Sequence, residues 1–493
     1  MSLILAFLGC FGGDGGEPYK KLENEPLSSS DGLGVQHKRP PMHPPQGQPQ
    51  GGPMGMQKPS LKAPVNYSWV GEASERPKSI ILLSLDTVYA GRMQVYGGRA
   101  ETANLMNFAA EATVFEQAIS HFPETALSHW TMMTSVLPEV HGNVPANGGS
   151  LYTGPTLAEI AKVHNYATGA FIGGVTMTDQ ASGFARGFDV YDDQFPLKME
   201  DMSRSGHQVT AKAKKWISQQ QGPYFAFLHY FDAHFPYTPK SPWDVKYDSS
   251  YTGSLDGTDQ VLRPYRDGSK VPSPRDVEHI LALYDGEISE LDDKIKAILS
   301  LADDDTIVIV TSDHGESFSH QYYFNHRGGL WDEITHVPLL IKASGLPKGT
   351  RVKSQVGLID ILPTVLELAG LPGDSRMQGE SLVPLAEGRA AGREIVFSIT
   401  DPWMPNPQLA VRTENWKWIS QEKDSLVYQL SRDPAEESNI DVIPLSLKEA
   451  PQVYQQLISS LTEHQIESAS PRKISDEECQ RLMALGYTTC EQH

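Results

Sequence analysis

Ser79-Ile80-Ile81-Leu82-Leu83-Ser84-Leu85 is a nearly unbroken apolar run that stops at Asp86. Two more runs share its form. Tyr224 to Phe231 (YFAFLHYF) is followed by Asp232 and His234, and Thr306 to Thr311 (TIVIVT) by Asp313 and His314. Apolar runs without alternation read as strands buried on both faces. Helical periodicity lies between them, at Thr102 to Ala112, Thr156 to Lys162 and Ala282 to Leu299. The alternation predicts an α/β fold, a large, mostly parallel sheet sandwiched by helices. In open sheets of this kind the strand carboxyl ends line the ligand crevice, so three strands each delivering Asp or His there predict one shared site.

Outside these strands the texture changes. Residues Pro239 to Asp276 hold many Pro, Gly, Ser and Asp with little periodicity, which reads as a long lid or specificity insert. Pro338 to Lys342 reads as a further strand, and Val356 to Ala369 as an amphipathic helix that Pro363 kinks or restarts. From Arg393 the runs shorten and alternate (IVFSIT, LAVRT, WKWIS, SLVYQL), predicting a small antiparallel C-terminal subdomain. The expected divisions are 78–392 for the α/β domain and 393–493 for the subdomain and tail.

Before residue 78 no core is expected. Lys20 to Asn66 contains no aromatic residue, and eight prolines fall between Pro40 and Pro64, so residues 11–77 read as a disordered tether. Ser2 to Gly9 is apolar but far shorter than the roughly 20 residues of a membrane-spanning helix. With Gly9 before Cys10, residues 1–10 resemble the end of a bacterial lipoprotein signal. That resemblance predicts export and a lipid anchor on Cys10 at a membrane face, periplasmic or cell-surface. Cys479 and Cys490 are then left as a candidate pair in an oxidising exterior. Asn66-Tyr67-Ser68 fits a glycosylation sequon, which a bacterial setting makes coincidental.

Charge narrows the chemistry. With 41 Lys plus Arg against 61 Asp plus Glu, the net charge of −20 repels a polyphosphate backbone, so no nucleic-acid partner is expected. An anionic substrate must be captured locally, by a metal or a pocket of donors. Asp86, Asp313 and His314 suit Mn²⁺, Zn²⁺, Mg²⁺ or Ca²⁺, with the imidazole favouring the first two. Thr125, in the turn feeding an expected helix through Val136, stands where a helix dipole and backbone amides favour an oxyanion. Its hydroxyl needs a cation or a base to become a nucleophile. His121 and His229 read as hydrogen-bonded packing residues, His141 as turn structure, and Glu287 and Asp292 as structural residues on a helix.

From about Ser79 to Tyr487 the motifs resemble the sulfatases of the alkaline phosphatase superfamily. Ser84-Leu85-Asp86-Thr87 with Tyr96-Gly97 is similar to the opening metal strand, and Thr102-Ala103-Asn104-Leu105 to the family's Thr-Pro-Asn-Leu helix start. Thr125 to Gly142 resembles the nucleophile block; Leu228 to Tyr237, Tyr284-Asp285-Gly286-Glu287-Ile288 and Ser312-Asp313-His314-Gly315-Glu316 come next in order. Ile359 to Thr364 and Leu482 to Tyr487 resemble the later blocks. The resemblance implies an alkaline phosphatase-like fold and a hydrolase of anionic esters carried on a glycan, a lipid headgroup or a small molecule.

The departures from the family carry the functional information. Sulfatases make formylglycine from Cys or Ser within Cys-x-Pro-Ser-Arg; here Thr125 stands at that position, Leu127 replaces Pro and His129 replaces Arg. Threonine cannot become formylglycine. Its single oxygen gives a covalent ester that water must cleave, as in the phosphatase, phosphodiesterase and phosphoglycerol-transferase branches, so phosphoryl chemistry is favoured over sulfuryl. Thr87 stands where sulfatases often have a second Asp, and Gly91 where near relatives have Asp, and a site poor in carboxylates argues against calcium. By resemblance, His234 and His326 hold the anion or protonate the leaving oxygen, while His129, Lys240 and Arg327 bind the substrate. One ion is expected; a second, ~4 Å away, could be held by His234 and His326 with Asp232 or His320. The alternatives are a phospho-headgroup transferase of the cell envelope and an inactive binding module.

Overall fold

The first described strand, β1 (Ser79–Leu85), occupies the middle of an eight-stranded sheet. The computed structural model describes residues 78–142, 152, 154–194, 203–320, 322–400, 408–421, 425–440, 442–444 and 447–462. Cys10, the tether, the sequon, the Cys479/Cys490 pair and the Leu482 to Tyr487 block lie outside the described residues.

The strands are β1, β2 (Thr113–Ile119), β3 (Ala167–Phe171), β4 (Val190–Asp192), β5 (Tyr224–Tyr230), β6 (Thr306–Thr311), β7 (His336–Lys342) and β8 (Thr350–Gly357). They lie in the order β4-β3-β5-β1-β6-β7-β2-β8. Only β7 runs against its neighbours. The three sequence-marked strands are therefore adjacent, with β1 parallel to β5 on one side and to β6 on the other. Their alternate side chains feed two apolar layers: Ile80 and Leu82 face one, Ile81 and Leu83 the other. Both faces are covered by helices, which is why these strands carry no polar alternation.

Five helices matter for the site: α1 (Ala103–Ala109), α2 (Thr125–Thr134), α3 (Gly206–Ile217), α4 (Pro274–Leu299) and α5 (Ile361–Ala369). Every residue of α2 is buried, so its first turn is held from all sides. Asp292 of α4 accepts the backbone N–H groups of Asn104 and Leu105, and thereby caps α1. Two expected elements shift. Helix α4 begins at Pro274 rather than Ala282, because Ser273 and Asp276 form a capping box and Pro274 takes the first helical position. Residues expected as one helix from Val356 divide instead: Val356 and Gly357 end β8, and α5 starts at Ile361 with Pro363 in its first turn. The insert Pro239 to Asp276 is not wholly irregular; it contains short helices at Trp243–Lys246 and Asp259–Arg266.

A second sheet, β9 (Val396–Ile399), β10 (Leu409–Arg412), β11 (Lys417–Ser420) and β12 (Ser425–Tyr428), is an antiparallel meander. It is tied to the large sheet by buried charge. Asp332, in the short helix Asp332–Thr335 preceding β7, accepts from Arg412 Nη2 (2.9 Å) and Lys417 Nζ (2.8 Å), and Glu436 pairs with Lys417. The next residues of that turn reach the catalytic end of the large sheet. Ile334 O accepts Gly315 N–H (2.6 Å) and Glu333 O accepts Glu316 N–H (3.1 Å). A Cβ on Gly315 would lie 2.2 Å from Glu333 O, so only glycine fits there.

Burial alone would raise Asp332, but Arg412 and Lys417 outweigh it and hold its carboxyl well below the ordinary carboxylate range. A depressed carboxyl stabilises the fold fully above the unfolded value, near ~3.9, and loses that contribution as pH falls below it. Asp332→Ala leaves the buried Arg412 without its carboxylate partner and Lys417 with Glu436 alone, and should cost about 3–5 kcal/mol at neutral pH, read as a lower urea midpoint. The gap between variant and wild type should narrow in acid.

Candidate active site

Parallel strands β1 and β6 end side by side, and the residues just beyond them are polar and fully enclosed. Asp86, Thr87, Ser312, Asp313 and His314 are all 0% exposed. Thr87 turns the chain at φ 60°, an unfavourable conformation for a β-branched residue. Its N–H donates to Asp313 Oδ1 (3.2 Å), and Tyr284 Oη donates to its carbonyl (2.5 Å). His314 N–H also donates to Asp313 Oδ1 (2.9 Å). The second oxygen of Asp313 has no hydrogen-bond partner. Asp86 is divided in the same way. Its Oδ2 faces His229 Nε2 (2.9 Å) and Thr125 Oγ1 (3.4 Å), while Oδ1 is unpartnered. On His314, Nδ1 donates to Gly315 O (3.0 Å), while Nε2 makes no hydrogen bond and lies 3.3 Å from Asp313 Oδ2.

One donor atom from each of Asp86, Asp313 and His314 lies within 4.8 Å of the other two. A buried polar atom left unpaired costs ~1–3 kcal/mol, and more when charged, so three converging ones call for a cation. Two carboxylate oxygens and an imidazole nitrogen fit Mn²⁺, Zn²⁺ or Mg²⁺. Burial and the nearby Asp313 push Asp86 well above the ordinary carboxylate range. His314 moves up too: burial opposes its charge, but Asp313 and Asp86 outweigh it. A dication among these groups reverses both tendencies. Among the described residues this is the one such group; Asp232 instead pairs with Lys294 (2.7 Å), and His320 stacks on Trp331 at 4.4 Å between ring centroids.

Thr125 is the first residue of α2 and is 0% exposed. The helix start is stitched to both strand ends, because Ser128 Oγ donates to Asp313 O (2.7 Å) and Thr125 Oγ1 to Asp86 Oδ2 (3.4 Å). His129 is fully buried. Its Nδ1 donates to Thr125 O (2.6 Å), and its Nε2 bonds Ser84 Oγ (2.8 Å), so both nitrogens are engaged beneath the nucleophile turn. Burial lowers it to about 3, neutral at pH 7. The ring thus ties the first turn of α2 to Ser84 of β1.

His234, after β5, lies over Phe231 (4.1 Å between centroids) and gives its Nδ1–H to Phe235 O (2.8 Å). Its ring centroid is 5.4 Å from that of His326, which is 4.3 Å from that of His314. Burial, then each other's or His314's charge, lowers both; His234 falls to about 3. Arg327 reaches back to Glu124, the residue before Thr125 (2.9 Å), so its charge is matched by a carboxylate rather than offered to a substrate tail. Lys240 is exposed at the rim of a cleft of about 240 Å³, lined also by His234, Phe235, Thr238, Glu290 and Lys294.

The sequence reading gave three further residues no role at the site. Glu316 meets His326 Nδ1 (3.0 Å), Thr87 orients Asp313, and His229, expected as a hydrogen-bonded packing residue, has Asp86 as its partner. His229 had a signal, since it is a polar residue near the carboxyl end of a buried strand, paired with Ser84.

Residues 78–371 match the sulfatase family, and residues 319–467 match the C-terminal region of N-sulphoglucosamine sulphohydrolase. This chain belongs to the sulfatase family, a family of ester hydrolases. It is similar to Arylsulfatase K of Homo sapiens, 30% identical over 217 residues, and to that of Bos taurus, 30% over 215. Those matches cover 40% of this chain and 38% and 37% of the relatives' lengths, so the chain spans well under half of them. Among solved structures, a phosphonate monoester hydrolase of Agrobacterium radiobacter superposes with a TM-score of 0.62 at 19% identity, covering 78% of this chain and 95% of that one. A protein solved in complex with its substrate D-glucosamine-2-N,6-O-disulfate also gives 0.62, at 17% identity, covering 79% and 99%. These likenesses establish the fold. Among the described residues no helix is long and apolar enough to cross a membrane.

If the cluster is a metal centre, protein purified without chelator should carry a divalent ion by elemental analysis. Asp313→Asn and His314→Ala should each carry much less. Added Mn²⁺ or Zn²⁺ should raise the melting temperature of chelator-stripped wild type but not of either variant. Equal metal content in all three proteins would contradict the assignment.

Proposed function

We propose that this protein is a metal-dependent hydrolase of anionic esters, in which Thr125 attacks phosphorus and forms a covalent intermediate that water then cleaves. The observation that carries the reading is Thr125 Oγ1, fully buried and 3.4 Å from Asp86 Oδ2, at the positive end of α2. Asp86, Asp313 and His314 would hold the cation; when bound, it lowers the pKa of a nearby hydroxyl and offsets charge on the transferred group. Asp86 Oδ2 accepts the Thr125 proton in the resting state, and His229 steadies that oxygen from the far side. His234 and His326 stand near the cluster, placed to hold the ester oxygens and to pass a proton to the leaving alcohol. The cleft beside His234 suits the alcohol.

Charge balance supports monoanionic substrates. Burial keeps His234 and His326 neutral, Arg327 is matched by Glu124, and two carboxylates cancel a dication. A buried site with little net charge admits a monoanion at lower cost than a dianion. Phosphate diesters and phosphonate monoesters are therefore preferred over phosphate monoesters. Sulfate esters, also monoanionic, are the second reading, favoured by the similarity to Arylsulfatase K. Export and a lipid anchor on Cys10 belong to the same proposal and rest on the Gly9-Cys10 run and the proline-rich stretch after it.

Purified protein with Mn²⁺ or Zn²⁺ should hydrolyse bis-nitrophenyl phosphate or a nitrophenyl phosphonate at least about tenfold faster than nitrophenyl phosphate, a difference of ~1.4 kcal/mol. Nitrophenyl sulfate as the best substrate would select the second reading. Thr125→Ala should lower kcat by about 10³-fold or more while retaining metal. Activity unchanged in Thr125→Ala would refute the nucleophile.

A further inference from the structure

Two histidines flank the site, and their second nitrogens are held by different partners. His234 Nδ1 meets a backbone carbonyl, Phe235 O. His326 Nδ1 meets a carboxylate, Glu316 Oε1, at 3.0 Å. Glu316 is 0% exposed, and its other oxygen accepts the Tyr237 hydroxyl at 2.9 Å. Tyr237 is itself fully buried, edge-on to Phe235 and Tyr284 and tilted against Phe318. With both oxygens tied, the Glu316 carboxylate cannot rotate.

Local backbone geometry sets up this contact. Phe324 N–H donates to Ser317 O (2.7 Å) and Ser317 N–H to Asn325 O (2.9 Å), so the chain folds back and sets Glu316 against His326. Phe324 takes φ 58°, an unfavourable conformation for a bulky side chain, which the surrounding contacts must enforce. Asn325 Oδ1 accepts His326 N–H (2.9 Å) and fixes the ring's root. A carboxylate only accepts, so the hydrogen of His326 lies on Nδ1 and the lone pair on Nε2.

We propose that Glu316, braced by Tyr237, is a positioning residue for the hydrolysis: it fixes the tautomer and orientation of His326 so that Nε2 serves the ester held between His314 and His234. This rests on the catalytic reading above.

The test is a double-mutant cycle on the metal-loaded enzyme with a phosphate diester. Glu316→Gln keeps the size and an acceptor for Nδ1–H but removes the charge. Expected is a fall in kcat of about 10- to 100-fold, with KM, metal content and urea midpoint near wild type. Tyr237→Phe should move kcat the same way by less. Glu316→Gln combined with His326→Ala should be no slower than His326→Ala alone, because a positioning residue has nothing left to position. Full kcat in Glu316→Gln, strictly additive losses in the double variant, or a loss matched by lost metal would overturn the proposal. Thr125→Ala, assayed in parallel, reports separately on the catalytic reading, so the two can fail independently.

Discussion

Two carboxylates and an imidazole meet in a space closed to water, and the fold around them is organised by that enclosure. Asp86 and Asp313 repel each other in a medium that screens poorly. The outcome is unequal: burial and its neighbour drive Asp86 up, while Asp313, though equally buried, is held at about 2 by His314, His129 and His229. Each carboxylate has one oxygen anchored by hydrogen-bond donors and one turned to the common space. That division orients a ligand set, because an anchored oxygen fixes the direction of the other. The turn at Thr125 depends on the same anchoring, since Ser128 bonds the Asp313 carbonyl and Thr125 bonds the Asp86 carboxylate.

The strands that carry the site were legible because burial on both faces forces continuous apolar sequence, and the polar residue that ends each run marks the crevice. β2 and β3 were not. The sequence of β2 (TVFEQAI) breaks its apolar run with Glu116 and Gln117, whose side chains are partly exposed, and β3 (ATGAF) is built from small residues. Gly169 in β3 is there for packing, as a Cβ would come 2.9 Å from the Trp216 ring. The start of α4 was hidden by the residues that begin it, since Ser, Pro and Asp signal a loop unless their side chains are known to cap the helix.

Asp86, Asp313, His314 and Thr125 could be singled out from local sequence, and the fold brings them together, but the partners of the remaining site residues could not be read there. His129 occupies the slot of a family arginine, and only the fold reveals that both its nitrogens are used inside the protein. Arg327 and Glu124 are 203 residues apart in sequence, and Glu316 and Tyr237 are 79 apart. Pairings at such separations leave no periodicity. Where the residues lie ten apart, as with Glu316 and His326, the contact depends on a backbone reversal at Phe324 that no propensity favours.

The net charge of −20 makes capture of an anionic ester a local problem, and the way it is solved bears on specificity. A cluster of arginines would bind any anion tightly in its ground state, which lowers KM without helping the chemical step. Here the guanidinium nearest the nucleophile is matched by Glu124, and the exposed ammonium of Lys240 stands only at the rim of the cleft. In the proposed mechanism the positive charge offered to the reacting group would be that of a cation held by Asp86, Asp313 and His314, whose carboxylates balance it in the resting site. Neutral histidines add hydrogen bonds without adding ground-state attraction. On the proposed mechanism such a site would bind its substrate weakly and respond most where charge shifts during reaction.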